Sequence, residues 1–194
     1  MRGNKLDVPS ATMLAKAGTE KGCMLFGIKH DQTEASFINE SLGPADSILI
    51  ASDLRVSAVL TECNVRRNKL DSESANVLAK VATEKRVMLF GIKHDQTVAD
   101  FSSQGLGPVD AVLIASDLRV SAVITNLNLA QNDLTNHGRD MSGIQAIADA
   151  LKSGMAVLTN LDLYGNSIGP EGAAAIAEAL KSGMAVLTTL KCVF

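Results

Sequence analysis

Short stretches in which apolar and polar residues alternate recur along the chain. In residues 158–169 the spacing is L-x-x-L-x-L-x-x-N-x-I-G. Neighbouring side chains of a strand point to opposite faces, so Leu161 and Leu163 share one face while Asn160 and Asp162 share the other. The pattern predicts a short strand with one buried face, which needs a covering layer.

An apolar stretch at helical spacing follows each of these strands. Residues 170–182 place Ile176, Ala179 and Leu180 on one side, and Pro170 fits the first turn of a helix. Strand–helix units of this kind stack in parallel, with strands on the inside and helices on the outside. The fold class predicted is therefore an α/β solenoid with one continuous core.

The repeat frame predicts one domain, residues 1–194, with about five to six repeats and one parallel sheet. Strands are expected near residues 34–38, 62–66, 98–102, 126–130, 160–164 and 189–193. Helices are expected near residues 8–21, 44–55, 71–85, 108–119, 141–153 and 170–182.

Long and short units alternate because part of the chain is duplicated. A shift of 64 places residues 24–33 on 88–97 without a mismatch. The long units carry an extra apolar segment between helix and strand, which we expect to cover the edge of the core. A shift of 29 places residues 151–159 on 180–188.

These residues resemble the leucine-rich repeats of the ribonuclease-inhibitor type, also seen in NOD-like receptors, Ran GTPase-activating protein and tropomodulin. The resemblance is clearest in residues 158–180 and extends over essentially the whole chain. It implies a horseshoe with strands on the concave side and helices on the convex side. It also implies a non-catalytic scaffold for protein recognition, an inference from fold alone.

An asparagine follows most strands of the pattern, where an inward amide can bind backbone groups of adjacent turns. Glu40 and Gln104 depart from this pattern. Gln104 can partly replace the amide. Burying a lone carboxylate is costly, so we expect Glu40 to face solvent.

Composition and charge narrow the function classes. The 194 residues carry a net charge of -3, which argues against nucleic-acid binding. The apolar runs are far too short to cross a membrane, and no secretory signal is evident. Three cysteines are an odd and sparse set, which favours a reduced, cytoplasmic protein.

Candidate catalytic chemistry is weak, and we expect neither an enzyme nor a cofactor nor a metal. His30–Asp31 and His94–Asp95 could form half of a metal site or an acid–base pair, but a polar loop that turns back inward is the favoured interpretation. Cys63 and Cys192 occupy positions where other units have apolar residues, so both are expected in the core. No phosphate-binding loop is present.

The outward side chains of the strands are the candidate partner-binding surface. Protein interfaces favour aromatic and arginine anchors, which are few here. The candidate residues are Glu62, Asn64, Arg66, Asp100, Asn126, Asn128, Asn160, Asp162, Tyr164 and Lys191. Residues 135–139 form a polar insertion that is either a binding loop at the rim or a tolerated surface turn.

Two alternatives to a scaffold stay open. Resemblance to Ran GTPase-activating protein implies a small-GTPase regulator, with Arg66, Arg67 or Arg139 as the candidate catalytic arginine. The other alternative is a structural fragment or an engineered repeat protein, and the near-identity of residues 4–64 with 68–128 fits a recent duplication or a design equally well. The last strand exposes an unpaired edge, so we expect self-association there, most simply as a twofold homodimer.

Overall fold

A computed structural model describes residues 6–153 and 157–192, and helices and strands alternate throughout this part of the chain. Each predicted element is present, with bounds within a few residues of those expected. The elements are α1 (Val8–Lys21), β1 (Glu34–Ser36), α2 (Pro44–Val56), β2 (Glu62–Asn64), α3 (Ser72–Lys85), β3 (Val98–Asp100), α4 (Pro108–Val120), β4 (Asn126–Asn128), α5 (Ser142–Lys152), β5 (Asn160–Asp162), α6 (Gly169–Lys181) and β6 (Thr189–Lys191). The α/β repeat fold is therefore confirmed.

The chain divides into two compact units, Met1–Gly91 and Ile92–Phe194. Unit 1 contains a parallel pair, β1–β2, and unit 2 contains a four-stranded parallel sheet in the order β3-β4-β5-β6. The parallel direction is confirmed, but the prediction of one continuous sheet is wrong. Residues 193 and 194, at the end of the last predicted strand, lie outside the described residues.

The extra segment of the second long unit explains the interrupted sheet. Met88 forms a parallel bridge with Glu62 at the free side of β2. The N–H of Cys63 donates to the carbonyl of Met88 at 2.7 Å, and the N–H of Met88 donates to the carbonyl of Thr61 at 2.8 Å. A segment expected only to cover the core thus takes the hydrogen bonds that a third strand would have made.

Each of the strands β1 to β5 buries the side chain at its central position, whereas the central Leu190 of β6 is half-buried. Cys63 is fully buried, as predicted, and Leu127 and Leu161 occupy the same position in unit 2. Cys192 is exposed, so its assignment to the core is wrong. The equivalent Leu163 is buried because the β6 residues stack on it, whereas no described unit stacks on Cys192.

The asparagine after the strand joins adjacent repeats, as predicted. In unit 2 the Asn132 side-chain amide donates to the carbonyls of Phe101 and Leu129, both at 2.9 Å. Its Oδ1 accepts from the N–H groups of Gln104 and Leu106 at 2.9 and 3.0 Å. Asn68 makes the same set of bonds in unit 1, and Asn166 repeats most of it.

The two departures from the asparagine pattern are both exposed. Glu40 faces solvent, which confirms the expectation from the cost of burying its charge. Its backbone N–H is held by Asn68 Oδ1 at 3.0 Å. The side chain at this position is therefore not needed for the contact with the following repeat.

A threonine immediately before each strand forms a second link between repeats. The Thr125 carbonyl accepts from the N–H groups of Thr159 and Asn160 at 2.8 and 2.9 Å, and from Thr159 Oγ1 at 3.1 Å. The same three-bond arrangement occurs at the carbonyls of Thr33, Thr97 and Thr159. The hydroxyl and two amides thereby fix where each strand starts against its neighbour.

A buried aspartate of α2 shapes the apolar segment of the first long unit. Asp53 is fully buried, and its two oxygens accept from the N–H groups of Leu25 at 2.6 Å and Phe26 at 2.9 Å. Burial raises the pKa of this carboxyl, and the backbone hydrogen bonds oppose that shift.

Within the described residues, no helix is long and apolar enough to cross a membrane.

Candidate functional site

The register of unit 2 aligns the outward side chains of its four strands in two rows. We call these two rows the polar strand face. The first row is Val98, Asn126, Asn160 and Thr189, and the second is Asp100, Asn128, Asp162 and Lys191. Six of the predicted partner-binding residues therefore come together on one surface, while Leu127 and Leu161 point to the other side.

The two rows line a shallow groove of about 410 Å³. At its end, Lys191 Nζ lies 3.2 Å from Asp162 Oδ2. Within the groove the Asn160 amide donates to the side-chain oxygen of Asn126. The described second row carries two carboxylates and one ammonium group, so its balance is acidic.

The third residue of several strands also fixes the backbone beyond it. Its side-chain oxygen accepts from the N–H two residues later, which is an Asx turn. These bonds run from Ser102 to Asp100, from Ala130 to Asn128, from Tyr164 to Asp162 and from Arg66 to Asn64, at 2.9 to 3.2 Å. Sequence reasoning missed this second role, although Asn or Asp at the third position of these strands was its signal.

The Asp100 side chain on the polar strand face is held in its charged form by hydrogen bonds. The Ser102 hydroxyl and N–H both donate to its carboxylate and lower its pKa below the ordinary value. Tyr164, two residues beyond Asp162, is an aromatic side chain that is 42% exposed. The second row therefore has the carboxylates of Asp100 and Asp162, and the aromatic ring of Tyr164 follows it in sequence.

The other predicted site residues lie in unit 1. Glu62 pairs with Glu34, and Asn64 with Ser36, across the two strands. The Arg66 guanidinium lies 4.9 Å from the centre of the Phe90 ring, a cation–π contact. Arg66 is thus half-buried and held against the core.

The insertion at residues 135–139 is a compact turn anchored by one buried side chain. Thr135 Oγ1 donates to the carbonyl of Asn166 at 2.8 Å and accepts from the N–H of Gly138 at 3.0 Å. His137 Nε2 lies 3.4 Å from Asp133 Oδ2. The backbone is fixed while the side chains of residues 136–139 are exposed. A binding role for this loop stays a prediction.

The His-Asp pairs lie in exposed turns, which confirms the interpretation of these residues as polar loops. In both copies the glutamine side chain closes the turn. Gln32 Oε1 accepts from the N–H of Lys29 at 3.1 Å and its amide donates to the carbonyl of Glu34. Gln96 repeats this at Lys93 and Val98. His30 and His94 are exposed, and no metal-binding group of His, Cys, Asp and Glu occurs among residues 6–153 and 157–192.

The three thiols differ in reactivity because they differ in burial. Burial raises the pKa of the Cys63 thiol to about 12, so it stays protonated at neutral pH. Cys23 and Cys192 are exposed. Cys192 lies beside a second cavity of about 620 Å³, at the outer end of unit 2, with Ile168, Pro170 and Ala173 among its lining residues.

Comparison with known proteins supports the repeat assignment over a limited range. A family model described as Leucine Rich repeat matches residues 155–177, the unit in which β5 is followed by α6. No curated protein matches the chain. The match and the alternating parallel architecture together support a leucine-rich repeat protein.

Proposed function

We propose that this protein is a non-catalytic leucine-rich-repeat scaffold that binds a protein partner through the polar strand face of unit 2. The proposal is carried by one observation: the register brings seven polar side chains from four neighbouring strands to one groove. The leucine-rich repeat is generally a protein-binding module, and the inference from it is by fold. In this assignment the polar strand face is the concave face.

The chemistry of the groove indicates the kind of partner surface. Asp100 and Asp162 outnumber Lys191 in the second row, and Tyr164 stands at its edge. A complementary partner presents basic side chains to the row and a flat apolar or cationic group to Tyr164. Because part of this attraction is between exposed charges, affinity should fall as salt rises.

A matched pair of aspartates tests the face. Asp162 pairs with Lys191 on the polar strand face, and Asp149 pairs with Lys152 at 3.7 Å on α5. Proteins captured by the wild type should be identified by quantitative mass spectrometry and then compared between Asp162→Ala and Asp149→Ala. A direct partner should be lost with Asp162→Ala and retained with Asp149→Ala. Equal capture by both variants would reject this face.

We also propose that the outer end of unit 2 mediates self-association. The outer side of β6 pairs with no described strand, and the apolar cavity beside Cys192 lies at the same end. Unpaired edges and apolar surface favour association. Sedimentation velocity over a range of concentrations tests this, and a protein that stays monomeric near 100 μM, roughly the scale of a weak interface, would reject it.

A further inference from the structure

Unit 2 contains two helix–strand segments of similar sequence in different surroundings. A shift of 29 residues places α5 on α6 and β5 on β6. The first segment is covered by the second, because α5 packs against α6 and β5 pairs with β6. The second segment lies at the outer end of unit 2. The first segment therefore shows which positions of the second a neighbouring segment would cover.

Residues that are buried in the first segment are uncovered at the same positions of the second. Leu151 is 1% exposed, whereas its counterpart Leu180 is 40% exposed. Leu163 is fully buried, whereas its counterpart Cys192 is exposed. The outer end of unit 2 therefore carries an apolar surface on both its helix and its strand.

The uncovered side of α6 is formed by Ala173, Ala177 and Leu180. These residues are four and three positions apart, which places them on one side of a helix. Ala173 and Leu180 are exposed, and Ala177 is half-buried. Their counterparts in α5 are all buried. In the first segment this side of the helix is thus a helix-packing surface.

At Leu190, strand β6 directs its backbone hydrogen-bonding groups away from β5. The N–H of Thr189 donates to the carbonyl of Thr159 at 3.0 Å, and the carbonyl of Lys191 accepts from the N–H of Leu163 at 2.6 Å. Alternate residues of a strand direct these groups to opposite sides. The N–H and the carbonyl of Leu190 therefore face outward, and β6 is an edge strand among the described residues.

A second copy of β6 fits this edge in an antiparallel register centred on Leu190. When Leu190 lies opposite Leu190 of a partner copy, each residue donates its N–H to the carbonyl of the other. All three residues of β6 are then paired. Lys191 lies opposite Thr189 of the partner copy, so this register does not bring two ammonium groups together across the strands.

We infer that two copies of this chain associate about a twofold axis at Leu190, with β6 paired to β6 and α6 packed against α6. An axis perpendicular to the sheet keeps the helices of both copies on one side of it. The two α6 helices then lie antiparallel, and their alanines allow close approach. The inference rests on the proposed self-association and gives it a register. Both copies use the same surface, so assembly stops at the dimer.

Disulfide crosslinking tests the strand register. The exposed thiols are removed with Cys23→Ser and Cys192→Ser, and either Leu190→Cys or Thr189→Cys is added. Opposite residues of a hydrogen-bonded antiparallel pair have Cα atoms about 5.5 Å apart, a separation that a disulfide spans. Under mild oxidation Leu190→Cys should form a covalent dimer about tenfold faster than Thr189→Cys, whose introduced thiols are out of register with each other.

A charge on α6 tests the helix contact. Ala173→Lys places a cation where the antiparallel arrangement brings the C-terminal half of the partner's α6, which carries Lys181. Ala17→Lys, at an exposed position of α1, is the matched control. Sedimentation velocity should show a dimer for the wild type and Ala17→Lys, and association weaker by about tenfold or more for Ala173→Lys. Circular dichroism and thermal melts should show that each variant folds as the wild type does.

Several results would overturn the inference. A wild type that stays monomeric near 100 μM, roughly the scale of a weak interface, rejects the proposed self-association and this contact together. If the wild type associates, equal crosslinking of Leu190→Cys and Thr189→Cys rejects the register, and assemblies larger than a dimer reject the twofold axis. Equal association of Ala173→Lys and Ala17→Lys rejects the helix contact, and this comparison alone decides if Leu190→Cys does not fold.

Discussion

The side-chain amide of Asn64 occupies the space that the missing Cβ of Gly91 leaves open. This contact joins the last residue of β2 to residues 87–91, the segment whose Met88 bridges to Glu62. Gly27 is the duplicate of Gly91 and has the same kind of backbone, but a methyl group at Gly27 would have no neighbour within 4 Å. Alanine substitutions at Gly27 and Gly91 therefore separate the cost of a left-handed backbone from the cost of a steric overlap.

Gly91→Ala should be more destabilising than Gly27→Ala. Both alanines adopt a left-handed backbone, which costs roughly 1–2 kcal/mol. Only Gly91→Ala also forces the Asn64 amide to move, which disturbs its hydrogen bond with the Arg66 N–H and adds about 0.5–1.5 kcal/mol. Urea unfolding of the two variants measures the difference. Equal losses would show that the Asn64 side chain does not approach Gly91 closely.

Asn132→Ala should cost at least about 2 kcal/mol of unfolding free energy, because it removes both the donors and the acceptor that join two adjacent repeats. Gln104→Ala, at an exposed position of the same repeat pattern, is the control and should stay within about 0.5 kcal/mol. Similar losses in the two variants would contradict the distinct role of the inward amide.

The positions of the elements could be predicted from the sequence because each repeat has its own alternating and helical periods. The role of Met88 could not, since an apolar segment covering a core and one pairing with a strand have the same composition. The repeat frame aligns Cys192 with the buried Leu163, but burial depends on a neighbouring unit. For the candidate site, the alternation of apolar and polar residues along the strands identified which side chains point outward. The Asx turns of these residues could not be predicted, because they depend on the backbone geometry beyond the strand.

Two aspartates should affect stability with opposite dependence on pH. Burial raises the pKa of Asp53 above 3.8, so its stabilising contribution is present below that pH and is lost as pH rises through the raised value. Asp71 caps α3 by accepting from the Ser74 N–H at 2.8 Å. The Ser74 hydrogen bonds lower its pKa, so its contribution is present above 3.8 and is lost as pH falls through the lowered value.

Chemical unfolding of wild type, Asp53→Asn and Asp71→Asn across acidic and neutral pH measures both effects. The stability of wild type relative to Asp53→Asn should decline with rising pH, and that relative to Asp71→Asn should decline with falling pH. The same sign of slope for both pairs would contradict the assigned environments.

Thiol labelling should distinguish Cys63 from the other two cysteines. Its thiol is buried and has a pKa of about 12, so it presents almost no thiolate at neutral pH. Iodoacetamide should label Cys23 and Cys192 in the native protein and Cys63 only after denaturation, with mass spectrometry of peptides as the measurement. Rapid native labelling of Cys63 would contradict its central position in β2.

The polar strand face exists only if Leu161 points into the core and Asn160 points outward. Its most direct test is the unfolding free energy of Leu161→Ala and Asn160→Ala, with Leu127→Ala and Asn126→Ala as the same test one strand away. The leucine variants should lose about 2–5 kcal/mol. The asparagine variants should lose about 0.5–1.5 kcal/mol, because these side chains are half-exposed and each variant removes the hydrogen bond between them. Equal losses, or larger losses for the asparagines, would place the register off by one residue and contradict the face.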